Sequence, residues 1–433
     1  MQGKSKTWLM LLTAVLLASL VLLPSVIAEP QPKTIFVPDD YLDIQTAINH
    51  ANNGDTVFVR AGTYQYNEQN SFLARAHSGN PNFGITVNKS ISLIGENRRA
   101  VISMDWQQGT VYTLIIESDN VTFSGFTVTS NVGFKLGAGI RSLAILGSNC
   151  NIFNNTFQKC LIGSGQNQNI SNCTFEGSDN FGMSVRFSNS VIANNYISRN
   201  RIGGIAVGVG SNVTIRDNNI VNNGPAFYGQ NAPDIVGAGI RFIYHSQDVV
   251  ENVNICYNNI SGQGFGIEFS GAVSNSLIYC NNITNNDVGI NLGNLPLRRY
   301  SQVGMGTKIF SNNLIDNTRN AYVEKEYPFN LTFDMSYNHV TGNTTDVVIW
   351  YNGDVGNYWS DYGGSGLYAI DQNNVDRHPQ THPVDTSAEV SMPNSFLAES
   401  WILPLIIGVV VIVLVMISFL VYSRHRKTVN LSP

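Results

Sequence analysis

The chain has 433 residues, of which only 13% are charged, and its formal net charge is −5. With no basic run ahead of the C-terminal tail, nucleic acid is excluded as a natural partner. Five cysteines cannot all pair with one another, so at least one thiol is left over.

At the N-terminus, Lys4 and Lys6 precede an apolar stretch from Trp8 to Ile27, and Val26-Ile-Ala28 fits a signal-peptidase site. Residues 1–28 therefore read as a signal peptide. A short strand is expected at Thr34-Ile-Phe-Val37. The segment from Asp39 to Ala51 follows, with Ile44, Ala47, Ile48 and Ala51 on one helical face. Asp39 or Asp40 is placed to cap its first turn. The chain then enters strand territory at Asp55-Thr-Val-Phe-Val59.

From there an asparagine-centred phrase recurs. Its clearest copies are Ser211–Ile220, Glu251–Ile260 and Ser274–Ile283, and looser ones end at Phe157, Phe175, Ile197, Leu314 and Val340. Successive endpoints are separated by 18, 22, 23, 40, 23, 31 and 26 residues. A base period of 22 or 23 residues with longer steps is a solenoid with insertions in some coils. Apolar residues alternate with polar ones inside each copy, which is strand periodicity. A second strand recurs after a glycine, as in Gly182-Met-Ser-Val, Gly204-Ile-Ala-Val, Gly239-Ile-Arg-Phe, Gly266-Ile-Glu-Phe and Gly289-Ile-Asn-Leu. Three short strands and three turns per coil, stacked in parallel, satisfy the period. The Asn-Asn pair marks a corner: asparagine tolerates left-handed backbone angles, and stacked amides can bond one another in a ladder. Open solenoids need covered ends, so the Asp39–Ala51 helix is expected to be an N-terminal lid.

Ile35-Phe-Val-Pro-Asp-Asp-Tyr41, Ile44-Gln-Thr-Ala-Ile48, Gly54-Asp-Thr-Val-Phe-Val59 and Ile91-Ser-Leu-Ile-Gly-Glu96 resemble the opening of the NosD-type, pectin-lyase-like family. The distal Gly356-Asn-Tyr-Trp-Ser-Asp-Tyr362, Tyr368-Ala-Ile-Asp371 and Asn374-Val-Asp376 carry the same resemblance. It implies an all-β, right-handed parallel β-helix of the PbH1-repeat type in a surface protein, with many archaeal relatives. Relatives often bear an Asp/Gly-rich insert after the aromatic run. Only Gly363-Gly-Ser-Gly366 stands here, which weakens the case for a calcium loop. Tyr358, Trp359 and Tyr362 are expected to cover the last coil.

After a polar tether at residues 384–400, Trp401 to Tyr422 is an uncharged stretch long enough to cross a bilayer. Arg424, Arg426 and Lys427 follow, so the tail at 423–433 should lie inside and the domain at 29–383 outside. Asn88, Asn120, Asn154, Asn169, Asn172, Asn212, Asn259, Asn282, Asn330 and Asn343 begin glycosylation sequons, several of them products of the corner repeat. Cys256 and Cys280 lie on consecutive coils but one position out of register, an offset that points strand side chains to opposite faces.

Alternation sends one residue of each glycine-led strand outward, giving an exposed column of Arg141, Ser184, Ala206, Arg241, Glu268 and Asn291. Asp234 and Asp287 precede strands at the same edge. The long step after Ile220 adds Phe227, Tyr228, Tyr244 and His245 as an aromatic rim. Aromatic planes among acids and amides suit sugars, so Arg241, Glu268, Asn291, Phe227, Tyr228 and Tyr244 are the candidate polysaccharide-binding residues. The plainer reading of Arg241 and Glu268 is a solvated ion pair across coils, worth little. If the face cleaves polysaccharide as a lyase or hydrolase, Glu268 and Asp287 are the carboxylates it would use.

The NosD resemblance also implies a copper-accessory role, for which Asp376, His378 and His382 form the best donor cluster. Pro379 works against a helix that would align the two histidines. The leading expectation is a membrane-anchored, type I surface β-helix that binds extracellular or envelope polysaccharide without catalysis. An enzyme, a copper accessory and a purely structural envelope protein are the alternatives.

Overall fold

The computed structural model describes residues 31–67, 82–105, 111–130, 140–224, 237–243, 250–271, 273–292, 306–323, 348–372 and 374–387. The expected signal peptide and membrane span lie outside these residues. No helix among the described residues is long and apolar enough to cross a membrane. The chain divides after Val384 into two units. Of the second only residues 385–387 are described, where Asp385 accepts hydrogen bonds from the Ser387 amide and hydroxyl.

The first unit is a parallel β-helix. Three long sheets of 11, 10 and 11 strands are built by turns, one strand per coil, so that every neighbour within a sheet is one coil away. The first sheet begins at Thr34–Val37, the second at Asn82–Val87 and the third at Gly62–Tyr66. Each sheet contributes an unbroken apolar row to the interior. In the third sheet the row runs Phe157, Phe175, Ile197, Ile220, Ile260, Ile283, Leu314. These are the endpoints of the repeated phrase. The next rung after Leu314 is Trp359, and the expected copy at Val340 lies outside the described residues.

The recurrent glycine of the second sheet has a steric cause. A Cβ on Gly204 would lie 2.5 Å from the carbonyl oxygen of Gly239, one on Gly239 2.7 Å from that of Gly266, and one on Gly266 2.5 Å from that of Gly289. Each coil thus needs its glycine because the next coil's backbone passes where a side chain would begin.

The Asn-Asn pair divides its labour. The first residue, as in Asn218, Asn258 and Asn281, is buried; the second, as in Asn219 and Asn259, is exposed. The left-handed corner itself falls on the preceding residue, Asp217, Tyr257 or Cys280, with φ of 55°, 59° and 53°. In the looser coils Asn154, Asn172 and Asn194 take that corner. The inner amides form one ladder: Asn195, Asn218, Asn258, Asn281 and Asn312 each donate Nδ2 to the next coil's Oδ1 at 2.9–3.0 Å. The same oxygen accepts that donor's backbone N–H, and Nδ2 also reaches a carbonyl of the preceding coil, as Asn258 does with Ile215 at 2.9 Å. A buried primary amide has two donors and two acceptor sites, and here all four are used.

The N-terminal lid is Ile44–His50, with Ile44, Ala47 and Ile48 fully buried over the first coils. Its cap is Asp43, which accepts from the Thr46 amide at 2.8 Å, not Asp39 or Asp40. Those two are engaged elsewhere: Asp39 pairs with Arg60, and Asp40 accepts from the Phe36 amide. Lys89 donates to the carbonyls of Ile48, Asn49 and Ala51 at the helix C-terminus, where a cation is favoured. At the other end, Trp350 and Trp359 are buried, and Tyr368 stacks on Trp359 at 4.1 Å.

All five cysteines are buried, and none forms a disulfide. Cys256 faces Tyr279 in register, and Cys280 sits at the corner beyond it, so the one-residue offset leaves no disulfide between the two.

Candidate functional site

The expected outward row exists, but it is not exposed. Ser184, Ala206, Arg241, Glu268 and Asn291 are in register on consecutive coils of the second sheet, and the row continues to Tyr322. Arg141 does not belong to it. A register shift between Arg141 and Leu143 places Arg141 opposite Cys160, and the row leads back from Ser184 through Ile162 to Ala144. A bulge of this kind inserts one residue and moves every later side chain in the strand.

The Arg241 and Glu268 side chains retain 18% and 10% of their accessible surface, and Asn291 retains 1%. Arg241 Nε donates to Glu268 Oε2, and the guanidinium lies over the Phe181 ring, 5.6 Å from its centroid. The other carboxylate oxygen of Glu268 accepts from the Ser270 hydroxyl at 2.6 Å. Asn291 Oδ1 is buried with no hydrogen-bond partner among the described residues. The same outward face is apolar a few coils earlier, where Ile115 and Ala144 pack with Tyr112 and Ile162. The row is therefore largely buried, so the expected exposure does not hold, and Arg241 and Glu268 form a part-buried pair where a solvated one was expected.

Glu268 and Asp287 stand on neighbouring coils but are not level with each other. Glu268 is level with Asn291, which lies four residues along its strand from Asp287. At about 3.3 Å per residue the two backbones are roughly 13 Å apart along the strand. The Glu268 carboxylate is engaged by Arg241 and by the Ser270 hydroxyl. Phe227, Tyr228, Asp234, Tyr244 and His245 lie outside the described residues.

The donor cluster proposed for a metal is dispersed. Asp376 is fully buried and accepts from four N–H groups: the Asn357 amide at 2.7 Å, Asn357 Nδ2 at 3.3 Å, Trp359 Nε1 at 2.9 Å and the His378 amide at 3.0 Å. His378 packs edge-on against Tyr351, while the His382 ring nitrogen bonds Thr381 Oγ1. No group of three or more metal-ligating side chains occurs among the described residues. Burial pushes the Cys160 and Cys256 thiols up to about 11 and that of Cys173 up to about 12, which keeps them protonated and poor as ligands or nucleophiles.

An open groove of about 590 Å³ lies elsewhere, lined by Gln166, Arg186, Ser188, Asn189, Ser211 and Asn212 with Gly165, Val209 and Gly210. It sits where strands Cys160–Gln166 and Phe181–Ser188 of the second sheet run out and the chain turns toward the first. Gln166 and Ser188 are register partners, and Ser211 follows on the next coil, so the groove crosses three coils. Two coil steps at 4.8 Å make a span of roughly 10 Å along the solenoid axis. At Gly210 the coils approach closely, and a Cβ there would lie 1.9 Å from the Phe187 carbonyl oxygen. Arg186 is exposed, and none of the lining residues carries a carboxylate or an imidazole. The strand that the Gly182-Met-Ser-Val pattern predicts runs on to Ser188. Carrying the alternation on through Arg186, Phe187 and Ser188 sends Arg186 and Ser188 outward, which is the signal that finds this groove.

Residues 105–254 match the family described as a right-handed β-helix region, and the fold is a right-handed parallel β-helix. No curated protein matches the chain. Among solved structures it is similar to pectate lyase Pel9A, at 15% identity over 74% of this chain and 88% of that one, with a TM-score of 0.44. A rhamnogalacturonan lyase gives 15% identity, 68% and 85% coverage, and a TM-score of 0.44. A mannuronan C-5 epimerase A-module from Azotobacter vinelandii gives 14% identity, 64% and 90% coverage, and a TM-score of 0.37.

Proposed function

We propose that this chain is a surface protein, anchored through its apolar segment 401–422, whose β-helix binds an acidic polysaccharide along the Gln166–Arg186–Asn212 groove without cleaving it. The observation that carries this reading is the lining of the groove: amides, hydroxyls and one guanidinium, with no acid or base among them. Amides and hydroxyls exchange hydrogen bonds with sugar hydroxyls, and a planar guanidinium pairs with a uronate carboxylate through two parallel bonds. Cleavage requires a general acid or base within hydrogen-bond reach of the glycosidic linkage, and this groove supplies none. A groove running along the stacking axis suits a linear polymer, which gains avidity by engaging many copies on one surface.

The test is binding of the purified protein to a panel of neutral and acidic polysaccharides, with a reducing-end and unsaturated-sugar assay on each. Binding should favour polyuronates, weaken as salt rises and fall at least tenfold in Arg186→Ala, with no product. Undiminished binding by Arg186→Ala refutes the siting, and product refutes the non-catalytic reading.

A further inference from the structure

The sequons among the described residues fall into two structural classes, and from this we infer which of their asparagines carry N-linked glycans; Asn330 and Asn343 lie outside the described residues. Asn169, Asn212 and Asn259 each donate Nδ2 to the Oδ1 of an asparagine on the preceding coil, Asn151, Asn189 and Asn219, at 2.9 Å. Asn282 accepts from Nδ2 of Asn313 at 2.7 Å. These amides are exposed or nearly so, and each is a rung of an outer ladder.

Asn88, Asn120, Asn154 and Asn172 differ. All four are exposed, and their side-chain amides make no hydrogen bond to another described residue. Asn120, Asn154 and Asn172 occupy left-handed corners with φ of 58°, 56° and 54°. Asn154 and Asn172 share one corner on consecutive coils, where Arg98 secures their main-chain carbonyls at 2.9 and 2.6 Å and leaves the side chains untouched. The required hydroxyls stand two residues on, at Ser90, Thr122, Thr156 and Thr174.

The modification joins Nδ2 to the anomeric carbon of a lipid-phosphate-linked oligosaccharide. The nitrogen lone pair forms the new C–N bond, the bond from that carbon to the phosphate oxygen breaks, the lipid phosphate leaves, and Nδ2 gives up one proton. At the four free amides the sugar enters open solvent. At Asn169, Asn212 and Asn259 one N–H is held by the ladder, which fixes the amide's orientation beside a coil about 4.8 Å away and restricts the approach of a sugar to the other. Asn212 lines the groove, so its ladder bond to Asn189 also keeps the binding surface bare.

This inference rests on the extracytoplasmic placement of the β-helix, and the experiment separates the two. The full-length protein is recovered from its native membranes after labelling intact cells with an impermeant amine reagent, and its peptides are mapped by mass. The expected result is a labelled domain with glycan mass on the peptides of Asn88, Asn120, Asn154 and Asn172, and unmodified Asn169, Asn212 and Asn259. Asn154→Gln and Asn172→Gln each remove one glycan mass and leave the fold unchanged by circular dichroism. Glycan on the ladder asparagines, or a labelled domain bare at all four positions, overturns the inference. An unlabelled domain overturns the placement and the inference with it.

Discussion

Asn357 delivers both its backbone N–H and its Nδ2 to one oxygen of Asp376, at 2.7 and 3.3 Å, and there the inner amide ladder ends. The ladder has a direction, since every Nδ2 points to the next coil's Oδ1. Its last member therefore needs a partner that accepts and does not donate. A carboxylate meets that need, and Asp376 also takes the Trp359 indole N–H. Another row of stacked amides ends the same way: Asn286 donates to Asn317, Asn317 to Asn320, and Asn320 to Asp361 at 2.7 Å.

Asp376→Asn should therefore be far more damaging than an isosteric change on a surface. It turns an NH₂ against N–H donors inside a site with no solvent, which costs about 2–4 kcal/mol. The urea midpoint of the purified protein checks this. A loss under about 0.5 kcal/mol, the size of an ordinary surface change, would show that the ladder does not need an acceptor at its end.

The ladder shows what the sequence discloses. The repeat of Asn-Asn before an isoleucine announces stacked amides, because the spacing of 22 or 23 residues puts them one above another. Which amide turns inward is set by a left-handed corner one residue earlier, and Tyr257 or Cys280 at that corner carries no obvious signal for it. The outward row on the second sheet was legible as a row, since Arg241, Glu268 and Asn291 follow the recurrent glycine at a fixed distance. Its burial was not, because alternation separates the two faces of a sheet but does not say whether the outer one meets solvent. The bulge beside Arg141 left no trace in the pattern either.

The glycines of the second sheet give a steric prediction. Gly239→Ala places a Cβ 2.7 Å from both the Gly266 carbonyl oxygen and Ile260 Cγ2, so the coils must part. Overpacking of this kind costs about 1–3 kcal/mol. Gly363→Ala is the control, since nothing lies within 4 Å of its Cβ. Thermal unfolding should separate the two substitutions clearly, and equal midpoints would mean that the coils tolerate the extra methyl.

Glu268→Ala should act on stability and not on recognition. The carboxylate is shared by Arg241 and the Ser270 hydroxyl with little solvent access, and removing one partner of such a pair costs about 3 kcal/mol. Polyuronate binding by the folded variant should match that of the parent. Loss of binding in a variant of unchanged circular dichroism and unfolding midpoint would return the recognition surface to this row.

The buried thiols set an alkaline limit on stability. Burial raises the Cys173 thiol to about 12, whereas an unfolded cysteine titrates near 8.5. Above that lower value the unfolded chain releases a proton that the folded chain retains, so stability is complete below about pH 8.5 and falls as pH rises toward the folded value. Between pH 8.5 and 10 this one thiol contributes a loss of about 2 kcal/mol. Cys173→Ala lowers stability at every pH by opening a small cavity, but it should flatten the alkaline decline by that amount. Urea midpoints of parent and variant at pH 7.5 and 10 supply the comparison, with tyrosine and lysine titration common to both. In parallel, a disulfide reagent should find no accessible thiol in the native protein at pH 8 and all five after unfolding. Equal pH slopes, or fewer than five thiols released, would mean that Cys173 is not held in the native protein as a buried, protonated thiol.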